Sequence, residues 1–172
     1  SDGKLQQTHL DKARERNAKI LDFGDLFCVM QGKYDRRSSK TDLRAEHQVD
    51  NYLDAVVNTA VDWFSPYADM FALVAEGNHE SAIRRHHETD LIERFVTTLN
   101  YKNGTQLTKG LYTGYVKFSF RKASGRERQT PIVLNFTHGS GGGGPVTRGV
   151  ISTNRKAVYL PDAQICVSGH IH

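Results

Sequence analysis

Short apolar runs alternate with longer amphipathic and polar segments along this chain of 172 residues. Four of the runs are rich in apolar residues and are bounded by polar residues, glycine or proline, which is typical of buried strands. A fifth segment, YTGYVKFSF (residues 112–120), alternates apolar and polar residues and predicts an antiparallel strand. The four buried strands are predicted in KILDF (19–23), MFALVA (70–75), PIVLNFTH (131–138) and AQICVSGH (163–170).

Two longer segments favour helices. Between residues 45 and 64 the apolar residues recur three and four positions apart, and Pro66 follows, as expected for an amphipathic helix and its end. A second helix is predicted over residues 81–99. Strands and helices therefore alternate, which indicates the α/β class, and since no repeat or linker divides the chain we expect a single domain over residues 1–172. The polar segments without a clear period are interpreted as loops, at residues 26–44, 121–130 and 139–149.

The composition excludes some classes of protein and leaves others open. A hydrophobic content of 38% fits a globular domain, and no apolar run approaches the roughly 18 to 20 residues of a membrane span, so we expect no membrane association. The net charge of +4 permits a polyanionic partner such as nucleic acid but does not require one, because the basic residues are spread along the chain.

The two cysteines, Cys28 and Cys166, are far apart and belong to no CxxC pair. Neither a disulfide framework nor a zinc knuckle is therefore indicated. A reducing, cytoplasmic setting is the simpler interpretation.

A potential metal ligand follows each of the four apolar runs. Because the carboxyl ends of strands are where loops meet in sheets that are covered by helices, these side chains are expected to converge in one cleft. Carboxylate and amide oxygens mixed with imidazole nitrogens suit manganese, iron or zinc, whereas oxygen ligands alone would favour magnesium or calcium. The candidate ligands, in chain order, are Asp25, Asn78, His138, His170 and His172.

The same residues carry a family resemblance. GD (24–25), GNHE (77–80), the single His138 and GHIH (169–172) resemble, in this order, the motifs of calcineurin-like metallophosphoesterases. The resemblance extends from residue 23 to the end of the chain. It implies a four-layer αββα sandwich, in which helices flank two mixed β-sheets, with a dinuclear metal centre at one edge. It also implies hydrolysis of a phosphomonoester or phosphodiester.

The resemblance further assigns a role to each ligand. It implies that Asp25 bridges two divalent metal ions, for which manganese is expected and iron, zinc or magnesium are alternatives. Two such ions can activate a water molecule and hold a phosphoryl oxygen for in-line attack. The resemblance also implies that the second ion is bound by His172, and the first ion by Asn78, His138 and His170.

Two neighbouring residues of GNHE have other roles. His79 resembles the imidazole that stays off the metal ions and protonates the leaving group, which an imidazole can do near neutral pH. Glu80 has two interpretations: it orients an imidazole from behind, or it is an acidic residue in the first turn of a helix.

One family motif is absent, the Asp-x-His that supplies further ligands from the first strand. Residues 9–11 contain histidine and aspartate in the reverse order, within a segment that favours a helix. We therefore expect an internal portion of a longer protein, with an Asp-x-His upstream of Ser1 on a strand beside residues 19–23, and with further strands after His172.

Several other residues have two interpretations each. The polar run 84–87 either binds substrate phosphates or is a solvated helix face, with the second preferred. Lys33, Arg36 and Arg37 either bind an anionic substrate or have no role. The glycine run 139–144 lacks the lysine of a phosphate-binding loop and is interpreted as flexible backbone. The run 84–87 consists of Arg84, Arg85, His86 and His87.

For the whole chain, the alternative to a phosphoesterase is a binding or scaffold module that retains the fold without catalysis.

Overall fold

The computed structural model describes residues 3–29, 43–120, 131–140, 154–155, 158–160 and 162–170. The chain contains helices and parallel strands and belongs to the α/β class. It divides into two compact units, Ser1–Gly110 and Leu111–His172, which are described separately below. In the described part of the chain, no helix combines the length and the apolar character needed to cross a membrane.

The first unit is a small parallel sheet with helices. Strand β1 pairs with β2, and β2 with β3, in the order β1-β2-β3. Its helices are α1 (Gly3–Glu15), α2 (Tyr52–Phe64), α3 (Asn78–His87) and α4 (Leu91–Asn103), and its strands are β1 (Ile20–Asp22), β2 (Phe71–Val74) and β3 (Thr108–Lys109).

The core of this unit lies where α2 and α4 pack beside the sheet. Phe64 of α2 meets Phe71 of β2 and Phe95 of α4 edge-on, with ring centroids 5.4 and 5.7 Å apart. Fully buried aliphatic side chains of α4 surround this aromatic cluster. These side chains are Leu91, Ile92 and Leu99.

Both helix predictions for this unit need correction. The helix predicted over residues 45–64 begins only at Tyr52, after a 3₁₀ turn at Ala45–His47, and Val49 is 47% exposed rather than packed. The helix predicted over residues 81–99 is two helices, and the first starts three residues earlier than expected, at Asn78. The chain turns at Glu88, which has a left-handed φ of 51°, and α4 then begins behind its N-cap Asp90.

The interpretation of residues 9–11 as helical is confirmed, since they lie within α1. The Asp11 carboxylate accepts a hydrogen bond of 2.8 Å from the Tyr67 hydroxyl. Asp11 therefore serves the attachment of α1 to the rest of the unit and does not replace the absent Asp-x-His.

The second unit contains a mixed sheet with the order β4-β5-β6. The antiparallel strand predicted at residues 112–120 is confirmed, because β4 runs antiparallel to β5 with Thr113 opposite Thr137. The next pairing, β5 with β6, is parallel and places Thr137 opposite Ser168, so both strands end at the same edge. The strands are β4 (Thr113–Phe118), β5 (Ile132–Thr137) and β6 (Ile165–Ser168).

Candidate metal centre

In the first unit, two of the predicted ligands follow neighbouring parallel strands. Asp25 comes three residues after the end of β1, and Asn78 begins α3, four residues after the end of β2. The backbone N–H of His79 donates a hydrogen bond of 3.1 Å to Oδ1 of Asp25. The structure therefore brings Asp25 to the first turn of α3, where the partial positive charge of the helix N-terminus favours a carboxylate.

The backbone at Asp25 is unusual for a residue with a side chain. Asp25 has a φ of 61°, in the left-handed region, and follows Gly24 with a φ of 109°. The turn is closed by Oδ1 of Asp22, which accepts a hydrogen bond of 3.0 Å from the Gly24 N–H. Left-handed non-glycine residues are uncommon and are concentrated at functional sites, where the surrounding structure holds them in place.

Gly77 allows the loop that contains Asp25 to contact the loop that precedes Asn78. A Cβ atom at this position would lie 2.2 Å from Oδ1 of Asp25 and 2.3 Å from its backbone nitrogen. The φ of Gly77 is −103°, which other residues also adopt, so glycine is required here by the close approach and not by the dihedral angle.

Glu80 connects both loops and is almost fully buried, with 1% of its surface exposed. Its Oε2 accepts hydrogen bonds from the N–H groups of Gly77 (2.9 Å) and Asp25 (3.2 Å). Its Oε1 accepts one of 2.7 Å from Phe27. Burial raises the pKa of the Glu80 carboxyl group, while the N–H groups of Phe27 and Gly77 act in the opposite direction.

Of the two interpretations of Glu80, the structure supports the position in a helix first turn. In addition, the carboxylate bonds to the loop after β1, which neither interpretation included. The sequence did contain a signal for the bond to Gly77, because a glutamate three residues after an N-cap commonly bonds back to the N-cap N–H. The bonds to Asp25 and Phe27 had no such signal, since their donors lie 55 and 53 positions away along the chain.

In the second unit, His138 and His170 follow the parallel strands β5 and β6. Their rings meet edge-on with centroids 5.3 Å apart, and one ring nitrogen of each lies within 4.8 Å of the other's. Since a metal–imidazole bond is about 2.0–2.1 Å long, two nitrogens at this separation need little movement to bind one ion. His138 is 3% exposed, and His170 has a left-handed φ of 68°.

Tyr112, which directly precedes β4, also contacts His138. The two rings meet at 71° with centroids 5.3 Å apart, and the His138 N–H donates a hydrogen bond of 2.9 Å to the Tyr112 carbonyl oxygen. The Tyr112 hydroxyl donates to the carbonyl oxygen of Gly139. Tyr112 was not identified from the sequence, because nothing in an alternating strand distinguishes the residue that lies beside a ligand.

The hydrogen bonding of two imidazole nitrogens indicates whether these residues suit a metal site. Among the described residues, Nδ1 of His79 and Nδ1 of His170 are buried side-chain atoms without a hydrogen-bond partner. A buried polar atom without a partner costs about 1–3 kcal/mol, so natural structures rarely keep one without a function. For His170, which lies beside His138, a metal ion is a fitting partner.

The other candidate residues have mixed outcomes. Arg84 forms an ion pair of 3.0 Å with the buried carboxylate of Glu76, so its charge is already compensated within the unit. Burial raises the pKa of Glu76, and Arg84 opposes this shift. Arg85, His86 and His87 lie with Arg84 in the last turn of α3. Five further candidates lie outside the described residues, namely Lys33, Arg36, Arg37, His172 and the glycine run after Ser140.

Comparisons of the chain with protein-family profiles, with curated proteins and with solved structures gave no match.

Proposed function

We propose that this chain forms a metal-dependent phosphoesterase domain with the αββα sandwich of the calcineurin-like enzymes. The observation that carries the proposal is the buried Nδ1 of His170, which has no hydrogen-bond partner among the described residues and lies beside a second imidazole, His138. Both histidines follow strands that end at one edge, which is where ligand-binding loops are found in such sheets.

The proposed ligands are those that the family resemblance implies. Two divalent metal ions, with manganese preferred, would supply an electrophile for the phosphoryl oxygens and a water molecule made acidic enough to act as the nucleophile. The Asp25 carboxylate would help to hold these cations and would balance part of their charge. The proposed ligands are Asp25, Asn78, His138, His170 and His172.

His79 is proposed to protonate the leaving group. Its backbone N–H is engaged with Asp25, which fixes the residue in the first turn of α3, while its side-chain Nδ1 makes no hydrogen bond to a described residue. An imidazole exchanges protons near neutral pH, so His79 can deliver a proton to a departing alkoxide.

The proposed substrate is a phosphate ester, and phosphodiesters, including nucleic acids, are favoured by the net charge of +4. A cytoplasmic setting is proposed as well, since both cysteines are free thiols in the structure.

The proposal is tested by comparing His79→Asn with His170→Ala in the full-length protein. We expect His79→Asn to keep its manganese while turnover of an alkyl phosphodiester falls by about 10²- to 10⁴-fold, the usual contribution of acid–base catalysis. His170→Ala should lose metal, as measured by elemental analysis after gel filtration.

A second substrate separates proton donation from other roles of His79. With a nitrophenyl ester the loss of turnover in His79→Asn should be smaller, since a nitrophenolate leaves without a proton. Equal metal loss in both variants would show that the role assigned to His79 is wrong. A wild-type protein that binds manganese without hydrolysing either ester would favour the scaffold alternative.

A further inference from the structure

We propose that Glu80 is a positioning residue: its carboxylate fixes the loop of Asp25 against α3, and the affinity for metal depends on it. The inference rests on the proposed function in one respect, namely that Asp25 is a metal ligand. Glu80 itself touches neither metal nor substrate in this proposal. It acts through the backbone of Asp25 and its neighbours.

The pattern of donors points to the Asp25 loop. Capping α3 requires only the bond from the Gly77 N–H, which Oε2 of Glu80 accepts at 2.9 Å. The other two donors, the N–H groups of Asp25 and Phe27, lie on either side of Leu26 in the loop after β1. One carboxylate therefore holds the main chain of the predicted bridging ligand and the turn that precedes Asn78.

The bonds act on a backbone that would otherwise tend to relax. The left-handed conformation is unfavourable for a non-glycine residue, and Asp25 adopts it with a φ of 61°. The loop is fixed again two residues later, where the ring of Phe27 meets that of Phe95 edge-on at 5.7 Å. Glu80 thus bonds on both sides of the strained turn.

The side chain of Asp25 is held from the same place. Its Oδ1 accepts a hydrogen bond from the His79 N–H, one residue before Glu80. Glu80 fixes the main chain and His79 fixes the carboxylate, so the direction of the Asp25 side chain is determined by the first turn of α3.

A glutamine at position 80 should disturb this arrangement while it keeps the size of the side chain. Both carboxylate oxygens of Glu80 accept, Oε2 from two N–H groups and Oε1 from one. A glutamine has only one oxygen, and its NH₂ group would face at least one of these donors. The loop must then move away or leave a buried donor without a partner.

The experiment compares Glu80→Gln with Glu76→Gln in the full-length protein. Glu76 is a matched control because it is equally buried, at 2% exposed, and lies in the same strand–helix junction, but its partner is the Arg84 side chain. Binding of Mn²⁺ is measured by titration calorimetry, and the thermal midpoint of each metal-free variant is recorded. Backbone amide hydrogen exchange at Asp25 and Phe27 is measured without metal.

We expect Glu80→Gln to weaken Mn²⁺ binding by about 10- to 100-fold, the usual effect of removing a group that orients a metal ligand. Exchange at Asp25 and Phe27 should become faster. Glu76→Gln should lower the thermal midpoint without weakening Mn²⁺ binding. If Glu80→Gln does not fold, Glu80→Asp keeps the charge on a side chain one methylene shorter and should show the same loss of affinity in weaker form.

Two results would overturn the inference. Unchanged Mn²⁺ affinity in a folded Glu80→Gln, or equal losses of affinity in the variants of Glu80 and Glu76, would show that Glu80 only stabilises the fold. Failure of the proposed function gives a different result. The wild type would then bind no Mn²⁺, or would bind Mn²⁺ that the change Asp25→Asn does not remove. Either result would defeat both proposals.

Discussion

The two regions that carry the predicted ligands, one in each unit, are built by different means. In the first, the loops of Asp25 and Asn78 are joined by a buried carboxylate, Glu80, and by the absence of a side chain at Gly77. In the second, His138 and His170 are placed by the parallel pairing of two strands and by contacts between rings.

This difference indicates how strongly the geometry of each region depends on single atoms. Hydrogen bonds to one carboxylate are directional, and the approach at Gly77 leaves no room for even one carbon atom. In strand pairing, several backbone hydrogen bonds together position the predicted ligands, and ring contacts tolerate small shifts. We therefore expect the first region to be sensitive to conservative substitutions and the second to be more tolerant.

The largest difference is expected between Gly77→Ala and Gly169→Ala. A Cβ at position 77 would lie 2.2 Å from Oδ1 of Asp25, whereas one at position 169 would meet its nearest neighbour, the His138 carbonyl oxygen, at 3.3 Å. We expect Gly77→Ala to lower the free energy of unfolding by about 1–3 kcal/mol, as overpacking usually does, and to weaken Mn²⁺ binding. Gly169→Ala should have a smaller effect on both quantities. Urea unfolding and calorimetry measure them, and equal effects would contradict the comparison.

A smaller effect is expected from Tyr112→Phe in the second region. This change removes the hydrogen bond to the Gly139 carbonyl oxygen but keeps the ring beside His138. The free energy of unfolding should fall by about 0.5–1.5 kcal/mol, with little change in Mn²⁺ affinity. Tyr112→Ala, which removes the ring as well, should weaken Mn²⁺ binding. If Tyr112→Phe weakened binding as much, the hydroxyl rather than the ring would be what places His138.

The smallest effect is expected at an ion pair between residues that are not predicted ligands, which gives a baseline. Asp90 caps α4 and contacts Lys109 at 2.5 Å. Burial alone would raise the pKa of Asp90, but the bonds from Lys109 and the Glu93 N–H outweigh it, and the pKa is lowered from its ordinary value of 3.8. The stabilisation from ionised Asp90 is therefore complete above this value and is lost as the pH falls below it.

The matching variant is Asp90→Asn, which keeps the cap and removes the charge. We expect it to lower the free energy of unfolding by less than about 1 kcal/mol at neutral pH, and we expect the difference from wild type to disappear in acid. Urea unfolding over a series of pH values measures this. A difference that grew in acid would mean that the sign of the pKa shift is wrong.

Five of the six described strands were predictable because apolar runs are local signals, whereas the short β3 (Thr108–Lys109) has no such run and was not predicted. All five predicted strands are present, and the end of β5 at Thr137 places His138 at a sheet edge, as its run of residues indicated. The boundary between α3 and α4 was missed because the left-handed turn at Glu88 depends on how the chain packs, and glutamate is not a residue that usually marks such a turn.

The arrangement around the predicted ligands was only partly predictable. The residue types of the candidate site could be predicted from the ends of the apolar runs, but the residues that position them could not. Tyr112 and Glu80 act on residues that are far away in the sequence, and a single sequence carries no record of such pairs. The predicted convergence of all five ligands in one cleft stays a prediction.

The bonds of Glu80 also have a consequence for how the chain folds. They join segments that are 55 and 53 positions apart, and the parallel pairing of β1 with β2 closes a loop of similar length. Such contacts form late, because the entropy of closing the loop is lost before the contacts stabilise it. The Asp25 turn should therefore appear together with the sheet during refolding and not before it, so that the proposed metal ligand Asp25 reaches its place only late in folding.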